Sequence, residues 1–232
     1  MDPRPAFVNG STPTVLLVHG AFTDASSWAG VITGLQGSGV EVAAVANPLR
    51  GIADDAAYLT SVAAAIDGPL VLVGHAYGGA VITESGARPG NVVGLVYVAA
   101  YAPAEGERLL DLTTTFLGPV LRPVGAELYL TTAGHCELFG SDDGWPAVAQ
   151  RPIAATAFEE PVTTAAWRTL PSWFVVANGD RAIHPDTQRF MARRADADTV
   201  EVDACHAVAR ARPDEVVAHI RGAVTALSRR HR

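Results

Sequence analysis

The stretch 74–79, with the sequence Gly-His-Ala-Tyr-Gly-Gly, constrains the fold of this 232-residue chain more than any other. It follows a continuous apolar run at 70–73 and precedes a stretch of helical character at 80–85. The glycines at 74 and 78 stand where a tight turn between a strand and a helix needs residues without a Cβ atom. The stretch therefore predicts a strand, a sharp turn and a helix in direct succession.

Short apolar runs of the same kind recur along the chain. They predict strands at 15–18, 40–45, 70–73, 92–98, 172–177 and 199–202, and helices that begin near 26–28 or span 52–66, 80–85, 185–195 and 213–227. Continuous apolar strands that alternate with helices are typical of a parallel sheet covered on both faces. The alternation stops after Tyr101. We therefore predict one α/β domain over residues 1–232, a doubly wound, mostly parallel sheet with an inserted helical cap at about 103–167.

The charge and the apolar runs of the chain narrow the classes of partner. The net charge is −7 and no basic run is present, which disfavours binding to nucleic acid or to an anionic membrane. No apolar run reaches the ~18 residues that a membrane span needs, and the N-terminus lacks the apolar segment of a signal peptide. The cysteines, Cys136 and Cys205, are weak evidence for a disulfide. We expect a reduced, cytoplasmic protein with a small-molecule substrate, and we leave a homodimer open as its assembly.

Three positions suited to acyl chemistry follow predicted strands, and we expect them to meet at the carboxyl edge of the sheet, where ligands bind in such folds. Ala76 follows the third strand, Asp180 the fifth and His206 the sixth. This is the order of serine, acid and histidine in hydrolases with a G-x-S-x-G motif. In such a triad the histidine takes the proton of the nucleophile, and the acid orients the imidazole. Taken singly, Asp180 is typical of a turn residue and His206 of a surface or satisfied core residue, but their joint order favours the catalytic interpretation.

The strand at 15–18 ends in His-Gly, which leaves the following backbone amides directed into the same crevice. We predict that the amide of Ala21 forms an oxyanion hole with the amide of Tyr77. Such donors belong to the backbone, so an alanine suffices at position 21. Phe22, Trp28 and Tyr77 are the predicted substrate contacts, because they lie beside these motifs in the sequence.

These features resemble the α/β-hydrolase superfamily, and most of all its branch of small esterases that includes plant methyl-salicylate-type esterases and hydroxynitrile lyases. The resemblance rests on residues 19–22 with Trp28, on 74–79, and on Asp180 and His206. It implies the α/β-hydrolase fold, Asp180 as the acid, His206 as the base, and the amides of Ala21 and Tyr77 as oxyanion donors. It also implies a serine at position 76, and the chain departs from it there with an alanine.

The predicted cap is rich in large apolar side chains, which would suit an apolar or aromatic acyl or alcohol group. They are Phe116, Leu117, Leu121, Leu128, Tyr129, Leu138, Phe139, Trp145, Phe158 and Trp167. Most of them are expected to pack the cap onto the sheet. We predict no metal, because the adjacent residues at 135–137 (His-Cys-Glu) cannot easily reach one ion together. We predict no cofactor, because no phosphate-binding glycine motif is present.

Three functions remain open at this point. The first is a serine-type hydrolase scaffold for a small ester, lactone or related acyl substrate, inactivated by alanine at position 76, whether that alanine is natural or introduced. The second is a lyase, isomerase or cyclase in which His206 acts as a general base without a covalent intermediate. The third is a non-catalytic binder of small molecules on the same scaffold.

Overall fold

The computed structural model describes residues 12–113, 117–140 and 149–230. In chain order the strands are β1 (Thr14–Val18), β2 (Val42–Val45), β3 (Leu70–His75), β4 (Val92–Val98), β5 (Leu121–Val124), β6 (Glu127–Leu130), β7 (Ile153–Ala154), β8 (Ser172–Ala177) and β9 (Asp198–Val202). The helices are α1 (Ala29–Gly37), α2 (Ile52–Ala64), α3 (Tyr77–Ser85), α4 (Leu109–Leu112), α5 (Leu117–Val120), α6 (Thr132–Phe139), α7 (Pro185–Arg194), α8 (Val208–Ala211) and α9 (Pro213–Arg230). The predicted strands at 92–98 and 172–177 have the observed bounds of β4 and β8.

The main sheet has six strands in the order β2-β1-β3-β4-β8-β9. Each neighbouring pair of strands in this sheet is parallel. The predicted doubly wound, mostly parallel sheet is therefore confirmed. The strand order reverses at β1, which pairs with β2 on one side and with β3 on the other. The segments that follow β1 and β3 thus flank the switch point where such sheets bind ligands.

The two faces of the sheet bury two separate apolar layers, because side chains alternate along each strand. In β3, Leu70 and Leu72 join the layer formed with α2, α3 and α7, whereas Val71 and Val73 join the layer formed with α1 and α9. Each fully buried side chain of this size contributes about 1.5–3 kcal/mol of transfer free energy. Burial on both faces explains why the strands read as continuous apolar runs and not as alternating ones. No helix among the described residues is long and apolar enough to cross a bilayer.

The cap lies between β4 and β8 and contains a small sheet in addition to short helices. Strands β5, β6 and β7 pair in this order, and both pairs are antiparallel. The hairpin between β5 and β6 turns at Gly125, whose φ of 62° is accessible to glycine at little cost. The sequence of this stretch predicted that its apolar residues pack onto the main sheet, but it did not predict paired strands. Short apolar runs of this kind carry little periodicity.

A buried carboxylate joins the end of the cap to the helix that follows the sharp turn. Glu84 of α3 accepts hydrogen bonds from the amides of Thr163 and Thr164, at 2.7 and 3.0 Å, and from the hydroxyl of Thr163. It also pairs with Arg88, one turn further along the chain. Donors from the cap thus converge on a side chain that is almost fully buried, so the returning segment has a defined position over α3.

Replacing Glu84 with glutamine should lower the free energy of unfolding by about 2 kcal/mol, because an amide nitrogen would face donors where a carboxylate oxygen accepts now. Urea unfolding followed by circular dichroism measures the change. Glu105→Gln is the matched control, because Glu105 pairs with Arg168 at the surface, where both side chains are about half exposed. That control should leave the midpoint unchanged. Equal effects of the two substitutions would contradict the anchoring role of Glu84.

Candidate active site

Asp180 and His206 form a buried hydrogen-bonded pair at the carboxyl edge of the main sheet. His206 Nδ1 lies 2.8 Å from Asp180 Oδ2, and both side chains are almost completely buried. Asp180 follows β8 and His206 follows β9, and these adjacent parallel strands bring the two loops together. The second carboxylate oxygen of Asp180 accepts hydrogen bonds from the amides of Ala182 and Ile183 at 2.8 and 3.0 Å. This arrangement directs the Nδ1 proton of the imidazole to the carboxylate and leaves Nε2 for another partner.

Ala76 occupies a strained turn between β3 and α3. Its φ and ψ of 50° and −118° lie in a region that residues with a side chain rarely adopt. The surrounding backbone holds this conformation, since the carbonyl of Ala76 accepts hydrogen bonds from the amides of Gly79 and Tyr101 at 3.0 and 3.1 Å. A Cβ atom at Gly20 would lie only 2.8 Å from the Cβ atom of Ala76. The turn therefore has the sharp geometry that presents a nucleophile in a G-x-S-x-G motif, but it presents a methyl group.

The two backbone amides predicted as oxyanion donors border the same space as Ala76. Within the described parts of the chain, the amides of Ala21 and Tyr77 donate to no protein acceptor. Ala21 follows β1 and Tyr77 begins α3, so the two residues lie on either side of the switch point. Free amides beside a helix N-terminus are suited to stabilising negative charge on a carbonyl oxygen.

A cavity connects these groups and lies between the sheet and the cap. The sheet side contributes Ala21, Phe22, Ala76, Tyr77, Tyr101, Ala182, Ile183 and His206. The cap contributes Leu117, Leu138, Phe139 and Phe158. The ring of Phe139 meets the ring of His206 edge to face, with centroids 5.7 Å apart. The cap therefore covers the imidazole with an apolar surface.

The predicted substrate contacts differ in where they lie. Phe22 and Tyr77 line the cavity, but Trp28 does not. Trp28 is fully buried in the layer between the sheet and α1, where its ring meets His75 edge to face at 6.1 Å. The structure thus places Trp28 behind the cavity, because the helical turn that begins at Ala25 directs its indole into the core.

The large apolar residues of the cap also divide into two groups. Four of them line the cavity, whereas Trp167 donates its indole N–H to the carbonyl of Pro103 and packs beneath two arginines. Phe116 and Trp145 lie outside the described residues. Three further residues line the cavity without having been predicted from the sequence: Tyr101, Ala182 and Ile183. Their signal is positional, since they closely follow β4 and β8 at the carboxyl edge.

A buried aspartate fixes the side chain of Tyr77. The hydroxyl of Tyr77 donates to Asp55 Oδ2 at 2.7 Å, and the amide of Arg50 donates to Asp55 Oδ1 at 3.0 Å. Burial raises the pKa of Asp55, although the surrounding donors oppose this effect. Burial and the neighbouring charge of Asp55 raise the pKa of Tyr77 well above its ordinary value. The phenol therefore stays neutral and holds its ring against the cavity while its hydroxyl bonds elsewhere.

Two further histidines are buried beside the site and are neutral at pH 7. His75 Nε2 donates to the backbone carbonyl of His206 at 2.9 Å, which fixes the loop that carries the imidazole. Burial, reinforced by the neighbouring His206, lowers the pKa of His75 to about 3. Burial also lowers the pKa of His19 to about 4. Both imidazoles resist protonation in the folded state more than in the unfolded state.

His75 should therefore make the stability of the protein fall as the pH is lowered. The unfolded chain binds a proton at this residue below about pH 6.5, and the folded chain does so only near pH 3. The loss that His75 causes should reach about 2 kcal/mol at pH 5. Denaturant unfolding between pH 7 and pH 5 measures it, and His75→Gln, which keeps a donor near Nε2, should reduce the slope to the part that other groups such as His19 contribute.

The matched control for this titration is His184→Asn. His184 is exposed and caps α7 by accepting from the amide of Asp186, and asparagine can cap in the same way. The control should retain the slope of the parent chain. A slope that His75→Gln leaves unchanged would contradict the proposed origin of the pH dependence.

A family model, a related sequence and two solved structures each match most of this chain. A model described as the alpha/beta hydrolase family matches residues 15–219. Alpha/beta hydrolase nvfD of Aspergillus novofumigatus is 27% identical over 242 residues, which cover 91% of this chain and 96% of that protein. A pyrethroid hydrolase from Sphingobium faniae JZ-2 superposes with a TM-score of 0.82 at 20% identity, over 93% of this chain and 98% of the other. Polyneuridine aldehyde esterase superposes with a TM-score of 0.77 at 19% identity, over 92% and 99%.

Proposed function

We propose that this chain, which belongs to the alpha/beta hydrolase family, is the scaffold of a serine-type hydrolase. Its substrate would be a small, apolar ester, lactone or related acyl compound. Alanine stands at the position of the nucleophile. The observation that carries this proposal is the arrangement around one cavity. The imidazole of His206, held by the buried Asp180, borders the same space as the strained turn at Ala76 and the residues of the free amides, Ala21 and Tyr77. Acyl transfer needs a base, an oxyanion site and a nucleophile, and this chain lacks only the last.

The lining of the cavity supports an uncharged, apolar substrate. Among the described residues that line it there is no aspartate, glutamate, lysine or arginine, and the titratable side chains of the lining are those of His206, Tyr77 and Tyr101. Phe139 and Phe158 of the cap and Phe22 of the sheet side offer aromatic surface to an acyl or alcohol group. A permanently charged substrate would lose its hydration here without gaining a partner. Neutral esters and lactones suit such a lining better than free acids do.

The roles in the mechanism follow from the positions of these residues. The substrate carbonyl would lie beside Ala76 with its oxygen directed at the amides of Ala21 and Tyr77, which stabilise the charge of a tetrahedral intermediate. A serine hydroxyl at position 76 would attack the carbonyl carbon and give its proton to His206 Nε2. His206 would then return the proton to the departing alcohol, and water would release the acid by the same route. Asp180 holds the imidazole in the required tautomer throughout. With alanine at 76 no acyl-enzyme forms, and binding remains.

The intact Asp180–His206 pair beside the methyl group of Ala76 favours a second function. His206 keeps its orienting carboxylate, and the oxyanion amides remain free, so the site retains what is needed to remove a proton next to a carbonyl and to stabilise the enolate. Such a lyase, isomerase or cyclase needs no nucleophile. If it is the true function, the chain with Ala76 converts its substrate, and His206→Ala abolishes the conversion.

The experiment that tests the proposed function is hydrolysis of p-nitrophenyl acetate, butyrate and octanoate and of simple lactones by the parent chain and by Ala76→Ser. Only the serine variant should release product, and it should favour the longer, apolar acyl chains that the cap residues can cover. A serine variant that folds and gains no activity on any of these substrates would contradict the hydrolase proposal. Tight ligand binding without turnover in both proteins would indicate a binder instead.

A further inference from the structure

A buried glutamine contacts the acid of the site from a direction that neither the triad nor the cavity accounts for. Gln188 lies in α7, eight residues after Asp180, and is completely buried. Its Nε2 donates to Asp180 Oδ2 and to the carbonyl of Ile183, each at 2.8 Å. Its Oε1 accepts from the amide of Ala177, the last residue of β8, at 3.1 Å. The primary amide thus uses both N–H groups and its oxygen.

The bond from Gln188 falls on the same oxygen of Asp180 that receives the proton of His206. The amides of Ala182 and Ile183 bind Oδ1, whereas Gln188 and His206 bind Oδ2. The two backbone amides determine where Oδ1 lies, but they leave the plane of the carboxylate free to turn about that oxygen. The position of Oδ2 then depends on Gln188, because His206 is the group being oriented.

We infer that Gln188 is a positioning residue, which holds Oδ2 of Asp180 where it can orient the imidazole of His206. Gln188 does not contact the cavity and acts through Asp180 alone. The bond from the amide of Ala177 to Oε1 connects α7 to β8 and represents the merely structural part of its role. The bond from Nε2 to Oδ2 is the functional part, and a substitution can separate the two.

Gln188→Glu keeps the shape and the acceptor for Ala177, and it puts an oxygen where Nε2 donates to Asp180 and to the carbonyl of Ile183. Gln188→Met keeps the length and removes both polar groups, and it replaces the glutamate variant if that protein does not fold. The control is Gln150→Glu in the cap. Gln150 accepts from the amide of Leu130 and donates to its carbonyl, so it makes the same kind of bonds far from the acid in the sequence.

The first measurement is the downfield proton NMR resonance of His206 Nδ1–H in the chain with Ala76, which requires no activity. The resonance should be present in the parent chain and in Gln150→Glu, and it should be lost or displaced in Gln188→Glu. An unchanged resonance in a folded Gln188 variant would overturn the inference. A displacement of equal size in Gln150→Glu would overturn it too, because a general loss of stability would then explain the effect.

The second measurement rests on the proposed function, since it uses Ala76→Ser as the background. There Gln188→Glu should lower kcat by about 100-fold, the typical effect of a misplaced catalytic group, and should change KM by no more than about threefold. A rise in KM with kcat unchanged would overturn the inference. If Ala76→Ser itself proves inactive, the hydrolase proposal fails, and the NMR result still decides the role of Gln188.

Discussion

Replacing Ala76 with serine is expected to raise the rate of ester hydrolysis by ~10²- to 10⁶-fold. In a comparable triad on another fold, removal of the nucleophile costs on the order of a millionfold in kcat, or roughly 8 kcal/mol. The gain should need no rearrangement of the backbone, because position 76 already has the φ and ψ of 50° and −118° that aim its side chain at the cavity.

Initial rates on p-nitrophenyl esters measure this gain, and two controls make it specific. Ala182→Ser adds a hydroxyl to the same cavity but away from the turn, and it should gain nothing. Adding His206→Ala to Ala76→Ser should return the rate to that of the parent chain, because the serine then has no base. A gain below a hundredfold in a folded Ala76→Ser protein would contradict the hydrolase assignment. A gain that survives the loss of His206 would contradict the mechanism.

The architecture was predictable because burial on both faces leaves a strong sequence signal. The strands at 92–98 and 172–177 are buried throughout and consist mainly of large apolar residues, and their observed bounds agree with the prediction. The β5–β6 hairpin gave a weaker signal, since its short strands are only partly buried and their side chains pack against a larger layer. Where tertiary packing and not local pattern decides the structure, a single sequence specifies less.

The residues of the candidate site likewise divide into those that the local sequence pattern predicts and those that tertiary packing places. Asp180, His206 and the turn at Ala76 were predicted because each follows a strand, and the order of strands along the chain can be read from the sequence. Gln188 and Asp55 were not predicted, because their contacts depend on how a helix is rotated against the sheet. The placement of Trp28 failed for a similar reason. Its proximity in sequence to the oxyanion loop said nothing about which face of the sheet its indole would cover.

The close approach of strand and helix at the turn leads to the second large effect. Gly78→Ala is expected to destabilise the protein by about 4 kcal/mol, near the upper end for a single substitution. A Cβ atom at Gly78 would lie 2.3 Å from the carbonyl oxygen of Val18 and 3.0 Å from that of His19. Both atoms belong to the backbone at the end of β1, so no side chain can move aside to relieve the overlap. Either α3 must withdraw from the sheet or β1 must shift.

Unfolding in urea measures this loss, and the chain offers a matched control in a second helical glycine. A Cβ atom added at Gly222 of α9 would have no described atom within 4 Å, and Gly222 does not have a positive φ. Gly222→Ala should therefore stabilise the protein by up to about 1 kcal/mol, the difference in helix propensity. The same chemical change is thus expected to have opposite signs at the two sites. Similar effects at Gly78 and Gly222 would mean that helix propensity, and not the packing of α3 against β1, sets the cost, and the rigid turn on which the site depends would lose its physical basis.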